Sequence, residues 1–331
     1  MSAQGKDTAL RRFLNGEGDY AFISRSRTWL IVSLAIIALA GAALLVRGLD
    51  FAIDFTGGTS FLVAGATEEF TSADLREAMT DLGITDVTAQ VVEEGQGALV
   101  STPELGEVGG EADRAATAAL AEVTGADPVD IDRQAVGPRW GQQVTDQALL
   151  ALVVFLGLVV VYITLRFEWR MAVAALVTLL HDVVVTIGVY ALVGFEVSPA
   201  SVIALLTILG YSLYDTVVVF DRVTEETGAL GASENRTYGE LANGALNAVL
   251  VRSLSTSVTS LLPVGALLVI GAQLLGADTL ADLALALFIG MGVGTYSSIF
   301  VATPLLVWLK GRDPEVAEHT ERLLARRGGS V

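Results

Sequence analysis

Apolar residues fall in six long runs, at 28–46, 147–165, 171–193, 198–220, 249–271 and 285–309. Each is close to the ~20 residues that a helix needs to cross a hydrocarbon layer. The polar stretch between the first two runs has a different rhythm. Thr59–Ala64 (TSFLVA), Val87–Val92 and Ala98–Ser101 read as strands, the last two joined by the turn-rich segment EEGQG. Ser72–Leu82 and Glu111–Val123 read as helices, the first with Ser72 as N-cap, and Pro128–Val136 closes the unit as a strand. The order β-α-β-β-α-β is the split, ferredoxin-like arrangement. The expected fold is an α-helical polytopic membrane protein: six transmembrane helices in a 1+5 layout with an external α+β ferredoxin-like domain. The expected boundaries are an N-terminal segment at 1–27, a first span at 28–46, the α+β domain at 47–145, a five-helix bundle at 146–309 and a tail at 310–331.

Composition supports the membrane class: 53% of residues are hydrophobic and 17% charged, against about 25% charged in soluble domains. The acidity is local. From Arg47 through Arg139 there are 18 Asp and Glu against 5 Lys and Arg, so this segment carries −13 of the chain's −17. Most of these carboxylates read as a solvated surface. The basic residues of short loops set the orientation. Lys6, Arg11, Arg12, Arg25 and Arg27 precede the first run, Arg166 and Arg170 flank the turn between spans two and three, and Arg222 and Arg236 lie between spans four and five. Lys310, Arg312, Arg322, Arg326 and Arg327 follow the sixth. All fall on one side of a six-span chain, whereas the loops around Glu196 and Asp278 have no Lys or Arg. Both termini are therefore expected in the cytoplasm and the acidic domain outside. The first run has no small-residue cleavage site clearly ending it, so it reads as a retained span rather than a signal peptide. Cysteine is absent, which excludes disulfides and thiol chemistry. No internal repeat of the 1+5 layout is visible. If it is a half-unit, the other half is a second chain.

Within this apolar chain a few ionisable residues stand out. Asp215 lies in the fourth run (GYSLYDTVVVF), where an unpaired carboxylate costs at least a few kcal/mol. Six residues separate it from Asp221 at the cytoplasmic exit, a depth of about 9 Å. Arg252 lies nine residues past Asn243 on the antiparallel fifth run, about 13 Å deep. Similar depths on neighbouring helices predict a salt bridge, either a structural pin or a site that exchanges a proton. His181 and Asp182 sit about 18 Å past Arg170 in the third run, a possible relay or a helix–helix hydrogen bond. Arg252, Thr256 and Ser260 share one face of the fifth span at i, i+4 and i+8, a candidate hydrated stripe, although Ser and Thr also pack ordinarily in membrane helices. Pro263 is expected to kink that helix. Gly290 and Gly294 form a GxxxG, read as a close-packing face with Thr295, Ser297 and Ser298. Gly57–Gly58 reads as turn geometry at a strand entry.

Several chemistries have no motif here. There is no Walker-type phosphate loop, no HExxH and no Cys/His cluster. Tyr214–Asp215 gives the YD pair of intramembrane aspartyl proteases, but their GxGD element is missing. No enzyme activity, metal, organic cofactor or nucleic-acid partner is expected.

A resemblance runs from about Gly48 to Leu309. GLDFAIDFTGG, VGPRWGQQV, HDVVVTIGVY, GYSLYDTVVVFDRVTEE, LNAVLVRSLSTSVTSLLPVGALLV and GVGTYSSIFVATPLL resemble, in order and spacing, the motifs of the SecF family of protein-export membrane subunits, in the resistance-nodulation-division superfamily. Tyr214 departs from the pattern, since many relatives have Asn there. The resemblance implies a SecD-like homologous partner, association with the SecYEG channel and the SecA motor, with YidC and YajC as further candidates, and an unfolded preprotein as cargo. It also implies the proton as coupling ion, with the positions of Asp215 and Arg252 serving proton conduction. Two other readings stay open on the residues alone: a half-size proton-driven efflux transporter of the same superfamily, and a non-transporting scaffold.

Overall fold

The computed structural model describes residues 20–92, 97–106, 109–228, 235–274 and 278–328. The turn expected at 93–96 and the basic residues Lys6, Arg11 and Arg12 lie outside them.

The first span is α1 (Ser26–Arg47), which ends at Gly48 and leads into a one-turn helix, α2 (Ile53–Thr56). Two glycines turn the chain from α2 into the sheet. Gly57, at φ +74°, caps α2 by donating its N–H to the Ile53 carbonyl at 2.8 Å. Gly58, at φ +139°, leaves no room for a side chain, because a Cβ there would lie 2.3 Å from the Thr102 carbonyl oxygen. Both backbone conformations favour glycine, so the pair reads as turn geometry.

The domain then runs β1 (Gly58–Val63), α3 (Ser72–Asp81), β2 (Thr88–Val92), β3 (Gly97–Thr102), α4 (Glu111–Thr124) and β4 (Ile131–Val136). The sheet order is β2-β3-β1-β4 with every neighbouring pair antiparallel, which is the ferredoxin-like topology. Two expectations shift. The N-cap of α3 is Thr71, not Ser72: its hydroxyl accepts from the Asp74 N–H while Asp74 accepts from the Thr71 N–H, a reciprocal capping box. The Thr71 hydroxyl also donates to Asp74 Oδ2 at 2.8 Å, and this bond foremost, then the one from the Thr71 N–H, holds the Asp74 carboxyl below its usual range. The strand expected from Pro128 begins at Ile131, because Pro128–Asp130 forms a 3-10 turn capped by Asp127. Strand alternation divides the sheet into two faces. Phe61 and Val63 of β1 and Ala98 and Val100 of β3 point toward α3 and α4, packing with Leu75, Met79 and Leu120. Ser101 points to the opposite face, toward the helical bundle.

The bundle comprises α5 (Pro138–Arg166), α6 (Trp169–Val193), α7 (Pro199–Thr227), α8 (Tyr238–Leu274) and α9 (Asp278–Ser297). A π-helical turn (Ser298–Ala302) then continues into α10 (Thr303–Lys310), and a tail helix, α11 (Pro314–Gly328), follows. Among the described residues, six helical segments are long and apolar enough to cross a membrane. α5 starts at Pro138, inside the stretch assigned to the α+β domain from sequence, and α8 continues as helix through Pro263. α6, α7 and the sixth span form the buried centre, with α1, α5 and α8 around it. Their outward faces are apolar, as at Leu45, Leu165 and Leu262. Glycines set the closest helix contacts. A Cβ at Gly188 would lie 2.2 Å from Ala40 Cβ, one at Gly290 2.3 Å from Ile208 Cδ1, and one at Gly294 2.9 Å from Ser212 Cβ. The GxxxG face of α9 therefore seats directly on α7.

Candidate functional site: a polar cluster inside the helical bundle

Close packing of α9 on α7 brings a set of polar side chains together. Asp215 of α7 is buried, and its Oδ1 accepts a 2.5 Å hydrogen bond from the Ser253 hydroxyl of α8. Its Oδ2 is buried without a hydrogen-bond partner. Next to it, the Thr216 hydroxyl pairs with that of Ser298 at 3.0 Å, in the first residue of the π-helical turn. Ser257, one turn beyond Ser253, pairs with Thr295 of α9 at 2.7 Å and accepts from the Tyr211 hydroxyl at 3.3 Å. π-helical turns are rare and occur often at functional sites. Here one carries Ser298 into contact with the helix that holds Asp215.

A second carboxylate, from α6, meets α7 one turn back, at Ser212. Asp182 of α6 is fully buried, and its Oδ2 accepts from Ser212 Oγ at 2.5 Å. Its Oδ1 meets Nδ1 of His181 at 3.1 Å, and Nε2 of His181 is buried without a partner. The His181 ring lies 6.3 Å from that of Tyr296, whose hydroxyl pairs with Ser33 of α1 at 2.9 Å. His181 and Asp182 are adjacent in sequence and diverge on the helix, but the Asp182 carboxylate bridges the His181 ring and α7. Ser212 and Asp215 stand at i and i+3, so both carboxylates reach the same stripe of α7. Orphaned polar atoms are costly in a protein interior, at about 1–3 kcal/mol each. Here the two belong to a carboxylate and an imidazole, side-chain types able to exchange a proton.

The expected salt bridge between Asp215 and Arg252 is not formed. Arg252 is exposed, as is Thr256, and Ser260 is half-buried. The reason is angular. Residues 252 and 253 differ by about 100° around α8, and the inward stripe Ala242, Leu246, Val249 and Leu250 continues to Ser253 and Ser257. Depth is legible in the sequence, but facing depends on that stripe, and Ser253 carries no charge to mark it. The Arg252–Thr256–Ser260 stripe lies on the other side of the helix, with the Thr256 hydroxyl donating to the Arg252 carbonyl at 2.9 Å. Tyr214 also faces outward, away from the cluster.

These features define a class: a multi-pass membrane protein with an ionisable, hydroxyl-rich centre buried among its spans and a small α+β domain at one end. Comparison with known proteins makes the class specific. Residues 116–312 match the family described as "Protein export membrane protein SecD/SecF, C-terminal", and residues 42–64 match the "SecD/SecF GG Motif", which contains Gly57 and Gly58. The chain is 42% identical to the protein translocase subunit SecF of Streptomyces coelicolor, over 96% of this chain and 83% of that one. It is 44% identical to the SecF of Mycobacterium tuberculosis strain H37Rv, over 98% of this chain and 75% of that one. It is similar in structure to the crystal structure of SecDF, a translocon-associated membrane protein from Thermus thermophilus, with TM-score 0.77 and 34% identity, covering 90% of this chain and 39% of that one. The chain belongs to the SecD/SecF family, as a SecF-type subunit of the Sec protein translocase.

Proposed function

We propose that this subunit uses the proton gradient to help draw preproteins out of the cytoplasm, with Asp215 as the group that takes up and releases the proton. The observation that carries this reading is the Asp215 site itself: a buried carboxylate in a membrane span, held on one oxygen by Ser253 and unpartnered on the other. His181, Asp182 and Ser212 extend it as a relay across α6 and α7. One elementary charge crossing 100 mV releases about 2.3 kcal/mol, enough to bias a two-state domain.

The outward Arg252 supports a second chain beside α8. A guanidinium in a membrane span does not face hydrocarbon without a large cost, and Thr256 extends the polar patch by one turn. A SecD-type partner presenting an acidic group would cover it. The Thermus thermophilus relative joins SecD and SecF in one chain, which favours such a neighbour. Arg252 would then complete the proton path from the partner's side. Basic residues at the end distant from the α+β domain, among them Arg166, Arg170, Arg222, Lys310 and Arg312, favour an orientation with that end and both termini in the cytoplasm of a bacterium. The SecYEG channel and SecA motor would supply the preprotein, with YidC and YajC as further neighbours.

The test is Asp215→Asn, assembled with its partner, in membrane vesicles with and without a proton gradient. Gradient-stimulated export should vanish while co-purification of the partner is unchanged. Normal stimulated export in this variant would leave a scaffold as the better account.

A further inference from the structure

The α+β domain meets the bundle at a neck where α2 packs on α5 and the loop between α6 and α7 approaches the sheet. The loop between α6 and α7 reaches it with main chain and with one carboxylate. Val197 donates its N–H to the Asp50 carbonyl at 2.7 Å, and Ala52 returns a 3.0 Å bond to the Val197 carbonyl. Beside this pairing, Glu196 Oε1 accepts a 3.0 Å hydrogen bond from Ser101 Oγ of β3. Glu196 and Ser101 are 5% and 7% exposed, so this is a buried polar contact between two parts of the chain 95 residues apart. Leu49, Phe195 and Val197 pack beneath it against Tyr190 and Ile208. Two clefts of about 450 and 490 Å³ flank the neck, one reaching Arg76 and Gln90 and the other Asp86 and Glu104.

The position of this contact in the chain gives it a consequence. Glu196 lies two residues before Ser198, whose hydroxyl accepts from the Ser201 N–H in the capping box that starts α7. α7 is then continuous from Pro199 to Thr227 and carries Ser212 and Asp215. A tilt or rotation of α7 therefore moves the loop that holds the sheet. A buried hydrogen bond to a carboxylate is stronger than one between neutral groups, so it can favour one orientation of a small domain.

We propose that the loop at 194–198, with Glu196 on Ser101, is the joint that sets the orientation of the α+β domain from the outer end of α7. Glu196 is a positioning residue that acts through Ser101. The movement passed through the joint rests on the proton-coupled reading above, but the joint itself can be tested without it.

The chain has no cysteine, so Glu122→Cys on α4 and Val269→Cys on α8, both at exposed positions, take a spin-label pair in the full chain reconstituted with its partner. The parent should give one narrow distance distribution. Glu196→Ala and Ser101→Ala should each broaden it, and Glu196→Gln, whose amide oxygen still accepts from Ser101, should keep it narrow. Should Glu196→Ala fold poorly, Ser101→Ala carries the comparison. Adding Asp215→Asn should shift the mean distance in the parent and not in Glu196→Ala. A distribution as narrow in both alanine variants as in the parent would overturn the joint. So would Glu196→Gln as broad as Glu196→Ala, or an Asp215→Asn shift that survives Glu196→Ala. Absence of that shift in the parent would count against the proton reading alone, since the widths still decide the joint.

Discussion

The two faces of α8 differ more than their neighbouring residue numbers suggest. One carries Ser253 and Ser257 into the bundle, where they meet Asp215 and Thr295. The other carries Arg252 and Thr256 outward. The inward face is complete within the chain, every hydroxyl having a partner. The outward face places a cation and a hydroxyl where a lone subunit would have lipid. On the proposed reading, this charged outer side is half of an interface with a second chain, which would distinguish the subunit from a self-sufficient transporter.

Arg252→Ala should separate the faces most strongly. It removes no contact between spans of this chain, so the subunit alone should melt as the parent does. If a partner's acidic group covers Arg252, breaking that buried pair costs about 3–5 kcal/mol. Co-purification with the SecD-type chain and gradient-driven export should both collapse. A variant that binds its partner normally would show that nothing acidic covers this face.

On the inward side, Gly294→Val should open the seam between α9 and α7. Its Cβ would meet Ser212 Cβ at 2.9 Å, and overpacking of this kind costs about 1–3 kcal/mol. A lowered melting temperature for the subunit alone, in detergent, is the expected readout, opposite to that of Arg252→Ala. Ser253→Ala leaves both Asp215 oxygens without a side-chain donor from α8. Losing one charge-assisted hydrogen bond should slow gradient-driven export roughly tenfold without abolishing it, with partner binding intact.

The smallest effect lies outside the membrane. Thr71→Ala removes the capping box of α3 and should cost about 1 kcal/mol of domain stability by thermal unfolding. The Asp74 carboxyl is held below its ordinary range in the folded chain. Its contribution is therefore fully present above the unfolded value, about 3.9, and is lost as pH falls through the folded one. The difference between Thr71→Ala and the parent should shrink on acidification through that window.

Much of this was legible before the fold was known. Length and apolarity define the six spans, and period-two and period-3.6 patterns define the β-α-β-β-α-β domain. Asp215, Asp182 and His181 stand out because charge at membrane depth is rare. The rest was hidden for particular reasons. A depth estimate counts residues along an axis and carries no angle, so it paired Asp215 with Arg252 rather than Ser253. Thr71 and Ser72 are both good caps, and only the reciprocal bond to Asp74 decides between them. The contact of Glu196 with Ser101 joins a loop to a strand across 95 residues and leaves no local pattern. The π-helical turn at Ser298–Ala302 inserts no proline or glycine to announce it.

The central claim is that Asp215 exchanges the proton that drives export. Its most direct test is proton flux into proteoliposomes that hold this subunit with its partner and the translocation channel, followed by an internal pH dye during preprotein transit. Transit-dependent acidification is expected with the parent and none with Asp215→Asn at equal protein content. Equal acidification by both would contradict it.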